Sequence, residues 1–205
     1  MNRQAHWNQV YQTKAPDEVS WHQTSPACSL GLIEAAGIAK DQVVIDVGGG
    51  ASVLVDCLLD AGFQRPAVLD ISAAALAHAR QRLGARAGEV EWVVADVTEF
   101  IPSRQFALWH DRAVFHFLTD SADRRKYVAA MQRALLPDGH VIIGTFALDG
   151  PAKCSGLDVA RYDATAIAAE LGAGFQLREQ RDETHVTPWN TEQRFSFFRF
   201  GRVTR

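Results

Sequence analysis

Five short runs rich in Val, Ile and aromatic residues, each followed by helical spacing, restrict this chain to few folds. They cover residues 43–47, 66–71, 90–94, 106–110 and 140–146. Runs of this length and composition read as strands, most of them buried on both faces. Between the first two, Leu54, Cys57, Leu58 and Ala61 share one helical face that stops at Gly62, and Cys57 is expected in the core. Ser72 is placed to cap a helix through Leu76, Ala79 and Leu83, closed by Gly84. A third helix is expected from about Asp120 to Leu136, before the Pro137-Asp138-Gly139 turn. Strand–helix alternation implies crossovers between parallel strands. The expected fold class is therefore α/β, a doubly wound sheet with helices on both faces.

The tail changes style. Asp163 caps a helix to Leu171, and residues 175–180 and 193–200 read as two strands around a turn-rich link at 185–190. A closing antiparallel hairpin on a mostly parallel sheet brings the expected count to about seven strands. Phe195, Phe197, Phe198 and Phe200 belong to strand core on this reading. At 205 residues the chain suits one domain with one core, expected to span 1–205, with a helical segment over 1–40 and the α/β core over 42–205.

With 21 basic and 24 acidic residues there is no cationic excess of the kind that nucleic-acid backbones demand. No apolar run approaches the roughly 20 residues that span a bilayer, so no membrane association is expected. Residues 1–10 are polar, so no secretory leader is expected. Cys28, Cys57 and Cys154 are far apart and form no CxxC pair, so neither a disulfide framework nor a metal site is expected. The setting that follows is reducing and cytoplasmic.

Residues 43–52 run from a strand through Gly48-Gly49-Gly50 toward a helix. Glycines there let a ligand approach the backbone, although a glycine turn alone is a weak signal. Two acids strengthen it. Asp70 ends the second strand, where a carboxylate can hold both ribose hydroxyls of a nucleoside. Asp96 ends the third, where it can accept from an exocyclic amine. Either acid could instead cap a helix. A dinucleotide site would need GxGxxG, and Val53 stands at the third glycine position; no GK[ST] follows for a P-loop.

Asp46-Val47-Gly48-Gly49-Gly50, then Asp70, then Asp96-Val97 resembles the motif series of class I S-adenosylmethionine-dependent methyltransferases, whose fold is Rossmann-like. Ser52 replaces that family's third loop glycine. The resemblance implies that Asp46, Gly48, Gly49 and Gly50 shape the methionine end of the cofactor. Asp70 with Ile71 would take the ribose, and Asp96 with Val97 the adenine. S-adenosylhomocysteine would be the product.

The segment 108–118, at the end of the fourth strand, faces the reactive methyl in such a fold. Asp111-Arg112-Ala113 is similar to the acid-Arg-small segment of thiopurine and small-thiol methyltransferases. Certain protein-lysine methyltransferases carry acid-Lys-Gly with a later Asp, where His116 stands here. The opening around Trp7 to Tyr11 and Val19 to Gln23 resembles the N-terminal lid of both, with Trp21 a candidate cofactor contact. A small-molecule acceptor, such as a thiol or other soft nucleophile, is the leading expectation. A protein-lysine acceptor is the alternative, and a non-catalytic S-adenosylmethionine-binding protein a further one. His116, His185 and Asp111 are the candidate catalytic residues, with Asp111 also a candidate cofactor contact. Arg112, Cys154, Arg161 and Tyr162 are candidates for the acceptor. Each has a plain structural counterpart: a core histidine, a buried thiol, a hairpin cap, an Asp111–Arg112 ion pair.

Overall fold

The computed structural model describes residues 2–203; Met1 and residues 204–205 of the expected domain lie outside the described residues. In chain order the strands are β1 (Val44–Val47), β2 (Ala67–Asp70), β3 (Glu91–Val94), β4 (Phe106–Arg112) and β5 (Leu135–Phe146). A small separate ribbon, β6 (Lys153–Cys154) with β7 (Leu157–Asp158), precedes the long pair β8 (Phe175–Val186) and β9 (Glu192–Arg202). The main sheet has seven strands in the order β3-β2-β1-β4-β5-β9-β8. Pairs among β1 to β5 are parallel, and β9 runs antiparallel to both β5 and β8. This is the Rossmann-like doubly wound arrangement with a terminal hairpin. The order reverses between β1 and β4, and a ligand crevice opens beyond strand carboxyl ends at such a reversal.

Side-chain alternation along the strands divides the core. Ile45, Val47, Trp109, Val141 and Ile143 pack with Tyr127 and Met131 of α5 (Ser121–Ala134) and Ile167 of α6 (Ala164–Leu171). Val44, Leu108, Ile142 and Phe197 pack with Leu32 and Ile33 of α2 (Ala27–Ala35) and with Leu54 and Leu58 of α3 (Leu54–Asp60). The helix α4 (Ala73–Leu83) begins where Ser72 accepts a hydrogen bond from the Ala75 N–H, and ends at Gly84. Asp120 and Asp163 cap α5 and α6 in the same way.

Four details depart from the sequence reading. Pro137-Asp138-Gly139 is not a turn between elements but a bulge within β5, because Phe106 pairs with Leu135 while Leu108 pairs with His140. The polar stretch after residue 180 continues β8 to Val186, since this edge strand alternates toward solvent on one face. Edge position also leaves β3 half-buried rather than enclosed, with Val94 exposed. Cys57 is only partly buried, at the flank of the α3 face rather than its centre.

Candidate active site

Two adjoining cavities open beyond the carboxyl ends of β1, β2 and β4. The larger, about 770 Å³ with the space open to solvent included, is lined by Asp70, Ile71, Asp96 and Val97, by Trp7, Trp21, Phe117 and Leu118, and by Arg112 and Cys154. The second, about 580 Å³, is lined by Asp46, Gly48, Gly49, Ser52, Ser29 and His110. Tyr11, Trp21, Gly48 and Arg112 border both.

The glycine turn is shaped by its neighbours. Gly48 has φ +69°, a left-handed backbone that side chains rarely adopt, and a Cβ there would stand 2.0 Å from Val114 Cγ2. At Gly49 the obstacle is packing: a Cβ would lie 2.4 Å from Asp46 Oδ2 and 2.7 Å from Val68 Cγ1. Gly50 lines neither cavity but stands against Asp70, whose Oδ2 would lie 2.7 Å from a Cβ there. Parallel register sets Asp46 beside His110, so both project from the same face. His110 Nδ1 is 2.7 Å from Asp46 Oδ1, and Nε2 is 2.9 Å from Ser29 Oγ on α2. A carboxylate only accepts, so Nδ1 carries a proton and donates it to Asp46. All three side chains are buried.

The residues expected for adenosine share the larger cavity. Asp96 Oδ1 accepts from the N–H and Oγ1 of Thr98, and Oδ2 pairs with Arg3 at 3.1 Å. Asp70 is buried and accepts from the Ser72 N–H at 2.7 Å. Burial raises its pKa to about 7, against the lowering effect of the backbone N–H groups, with nearby Asp46 raising it further. The sign is the reverse of a paired surface carboxylate. The folded chain holds this proton up to about pH 7, so Asp70 favours the fold at low pH and disfavours it as pH rises from about 4 to 7. Ribose hydroxyls donate to the ionised form. Affinity for S-adenosylhomocysteine should therefore weaken below pH 7, approaching about tenfold per pH unit, and level off above it. Calorimetric titration from pH 5.5 to 8.5 checks this; Asp70→Asn should flatten the profile, and an unchanged slope would point to another group.

On the acceptor side the structure redistributes the expected residues. Asp111 does not reach the cavity and does not pair with Arg112. Alternation turns it with Trp109 toward α5, where it accepts from Tyr127 Oη at 2.6 Å and from the N–H groups of Val114 and Phe115. These bonds hold the start of the 3-10 turn Phe115–Phe117, and Asp111 lines neither cavity. Burial raises its pKa to about 6. Tyr127 also accepts from Trp109 Nε1 at 2.8 Å. Removing that hydroxyl in Tyr127→Phe strips two buried groups of a partner. It should cost about 1–3 kcal/mol in urea unfolding while leaving cofactor affinity unchanged.

His116 is fully buried against Phe117 and Phe146, and burial drives its pKa to about 3. It takes no proton at neutral pH and lines neither cavity. His185 Nε2 lies 2.7 Å from the Ser20 carbonyl, pinning the N-terminal segment to β8; burial lowers its pKa, and it too stands off the cavities. Arg161 is exposed and donates to the Gly150 carbonyl, while Tyr162 packs in the core on Phe115. Arg112 and Cys154 do line the larger cavity. Burial raises the Cys154 thiol to about 11, so it stays neutral.

Several lining residues carried no individual assignment from the sequence. Arg3, Trp7 and Tyr11 come from α1 (Arg3–Thr13), which lies across both cavities. Trp21 Nε1 donates to Tyr11 Oη at 3.0 Å, and Trp7 meets Trp21 and Phe117 edge-on. These aromatics were visible as a cluster, but α1 has no periodic apolar face to show which side turns inward. His110 could have been found through strand parity, since it shares a face with Leu108.

The acids, the glycine turn and the paired cavities together fit a cofactor with a nucleoside half and an amino-acid half. Among the described residues no cluster of His, Cys, Asp and Glu is arranged to hold a metal ion, and no helix is long and apolar enough to cross a membrane.

Comparison with known proteins places these features. A family described as "Methyltransferase domain" matches residues 44–139. Nodulation protein S of Rhizobium tropici is 34% identical over 82 residues, covering 40% of this chain and 34% of that protein. The counterpart from Rhizobium fredii is 33% identical over 82 residues, covering 40% of this chain and 46% of its own. The matched region thus spans less than half the length of these relatives. Among solved structures, the N-methyltransferase NodS from Bradyrhizobium japonicum WM9 in complex with S-adenosyl-l-homocysteine has TM-score 0.73 at 19% identity. It covers 95% of this chain and 97% of that one. A structure solved for the conversion of a disulfide bond into a thioacetal group during echinomycin biosynthesis has TM-score 0.77 at 19% identity, over 96% and 90%.

Proposed function

We propose that the chain is a class I S-adenosylmethionine-dependent methyltransferase and transfers a methyl group from S-adenosylmethionine to a small-molecule acceptor, with a thiol or other soft nucleophile foremost. The observation that carries this reading is the larger cavity. It is walled by Trp7, Trp21, Phe117 and Leu118, roofed by α1, and offers polar contact to an acceptor mainly through Arg112. Such a space suits a compact apolar molecule better than an extended peptide, which needs an open groove.

The cofactor supplies an activated methyl on a positively charged sulfur. The chain's own residues supply alignment. Asp70 and Asp96 hold the adenosine half, and the Gly48–Gly49 turn with Asp46 and His110 holds the amino-acid half. Trp7, Trp21 and Phe117 exclude water from the place between. Alignment of this kind lowers a barrier by as much as about 7–11 kcal/mol. Neither His116 nor His185 is positioned as a base, so the acceptor must arrive with its lone pair available.

A second reading has support from the relatives: NodS of Bradyrhizobium japonicum is described as an N-methyltransferase, which favours a nitrogen acceptor. Methyl-labelled S-adenosylmethionine in a cell extract, split into protein and small-molecule fractions, tests the whole proposal. Label in small molecules supports it, and the labelled atom separates sulfur from nitrogen. Label confined to a protein band would replace it with a protein acceptor.

A further inference from the structure

Resting on that reading, we propose that the acceptor is an anion with an apolar body, and that Arg112 holds its negative charge beside the methyl to be transferred. Arg112 ends β4 on the same face as His110, with its side chain only 12% exposed. Its Nη1 donates to the Trp21 carbonyl at 2.9 Å, and its guanidinium lies over the Phe195 ring, 4.8 Å from the centroid. The nearest carboxylate, Glu183, is 3.9 Å from Nη2, beyond hydrogen-bond reach, and already accepts from Gln23. Both Nε and Nη2 are buried without an acceptor. Buried N–H donors left without an acceptor are costly, and donors that persist so in a native fold point to a partner that arrives with a ligand.

Position strengthens the point. Arg112 borders both cavities, so a cofactor with its adenosine half in one and its amino-acid half in the other would bring its sulfonium near this guanidinium. Two positive charges facing each other in a water-poor cavity repel unless an anion sits between them. An anionic acceptor meets that need, and it removes the need for a base. Its lone pair forms the new bond to the methyl carbon, while the carbon–sulfur bond breaks with its pair on sulfur. Anion and sulfonium give neutral centres, and no proton has to leave. The surrounding Trp7, Trp21, Phe117 and Leu118 select an apolar body, and the planar guanidinium suits a carboxylate, a thiolate or a phenolate.

The test uses the full chain with a matched panel, in which each aromatic acid, thiol and phenol has an amine counterpart, benzylamine for thiophenol being one pair. The wild type should methylate, and when loaded with S-adenosylhomocysteine should bind, the anions in preference to the amines. Arg112→Gln should lower kcat/KM for them by about 100-fold and abolish their calorimetric binding, with S-adenosylhomocysteine affinity kept within about threefold. Arg112→Lys, which keeps the charge, should recover a part and guards against simple misfolding. Preference for amines would overturn the proposal. So would a loss of S-adenosylhomocysteine affinity in Arg112→Gln at unchanged acceptor KM, because the guanidinium would then serve the cofactor's own carboxylate. Failure of the wild type to bind S-adenosylhomocysteine at all would instead sink the methyltransferase reading beneath it.

Discussion

Gly49→Ala is expected to lower the affinity for S-adenosylhomocysteine by about 10- to 100-fold. The added Cβ would stand 2.4 Å from Asp46 Oδ2 and 2.7 Å from Val68 Cγ1, closer than folded chains tolerate. Neither neighbour is free to yield. Val68 is buried in β2, and Asp46 is fixed through His110 to Ser29. The turn must move instead, and it is the wall of the smaller cavity. Overpacking of this kind costs about 1–3 kcal/mol, which here falls on the bound geometry as well as on the fold. Isothermal titration alongside urea unfolding separates the two effects. Binding within about threefold of the wild type would show that the turn relaxes without harm.

The second large effect belongs to His110. Its ring donates to Asp46 and contacts Ser29, so it ties the end of β1 to α2 through β4. Alanine at this position leaves a buried carboxylate short of its donor and opens a space beside it. The expected loss is about 3 kcal/mol of stability, with weakened cofactor binding because Asp46 is no longer held. Ser29→Ala, which removes only the far end of the chain of contacts, should cost about 1 kcal/mol. Urea unfolding of both variants checks the order. Equal losses would show that the contact to Asp46 contributes nothing beyond packing.

The sheet and the strand-end acids were legible because both follow from local pattern. A run such as 43–47 announces a buried strand, and a parallel sheet brings successive strand ends to one edge without further information. Asp46, Asp70 and Asp96 therefore converge wherever the helices between them pack. Asp111 shows where such reading fails. It sits one residue from Arg112, and parity along β4 alone decides that Arg112 turns toward the cavities while Asp111 turns to Tyr127. That parity was available from Leu108 and Trp109 but needs the helices on each side to assign it. His185, Arg161 and Tyr162 were harder still. Their positions depend on the register of the β8–β9 pair and on the path after β7, which local spacing does not encode. His116, flanked by aromatics in sequence, finds them again in space and stays neutral among them.

The way α1 is attached has a consequence for the timing of events. Of its side chains only Tyr11 is fully buried; Trp7 packs edge-on against Trp21 and Phe117, and the other contacts are polar: Arg3 to Asp96 and Asp123, Gln4 to the Ile71 carbonyl, Asn8 with Ser72. Apolar burial anchors the sheet and its other helices, whereas this one rests on exchangeable, partly solvated bonds. With one buried side chain against five in α5, it is expected to detach more readily than that helix. The expected outcome is local unfolding of this element while the sheet stays native. Salt, which screens the ion pairs of Arg3, should hasten that opening. Hydrogen exchange would read residues 3–13 as a unit separate from the sheet, and residence of the spent cofactor would follow the lifetime of this helix in place.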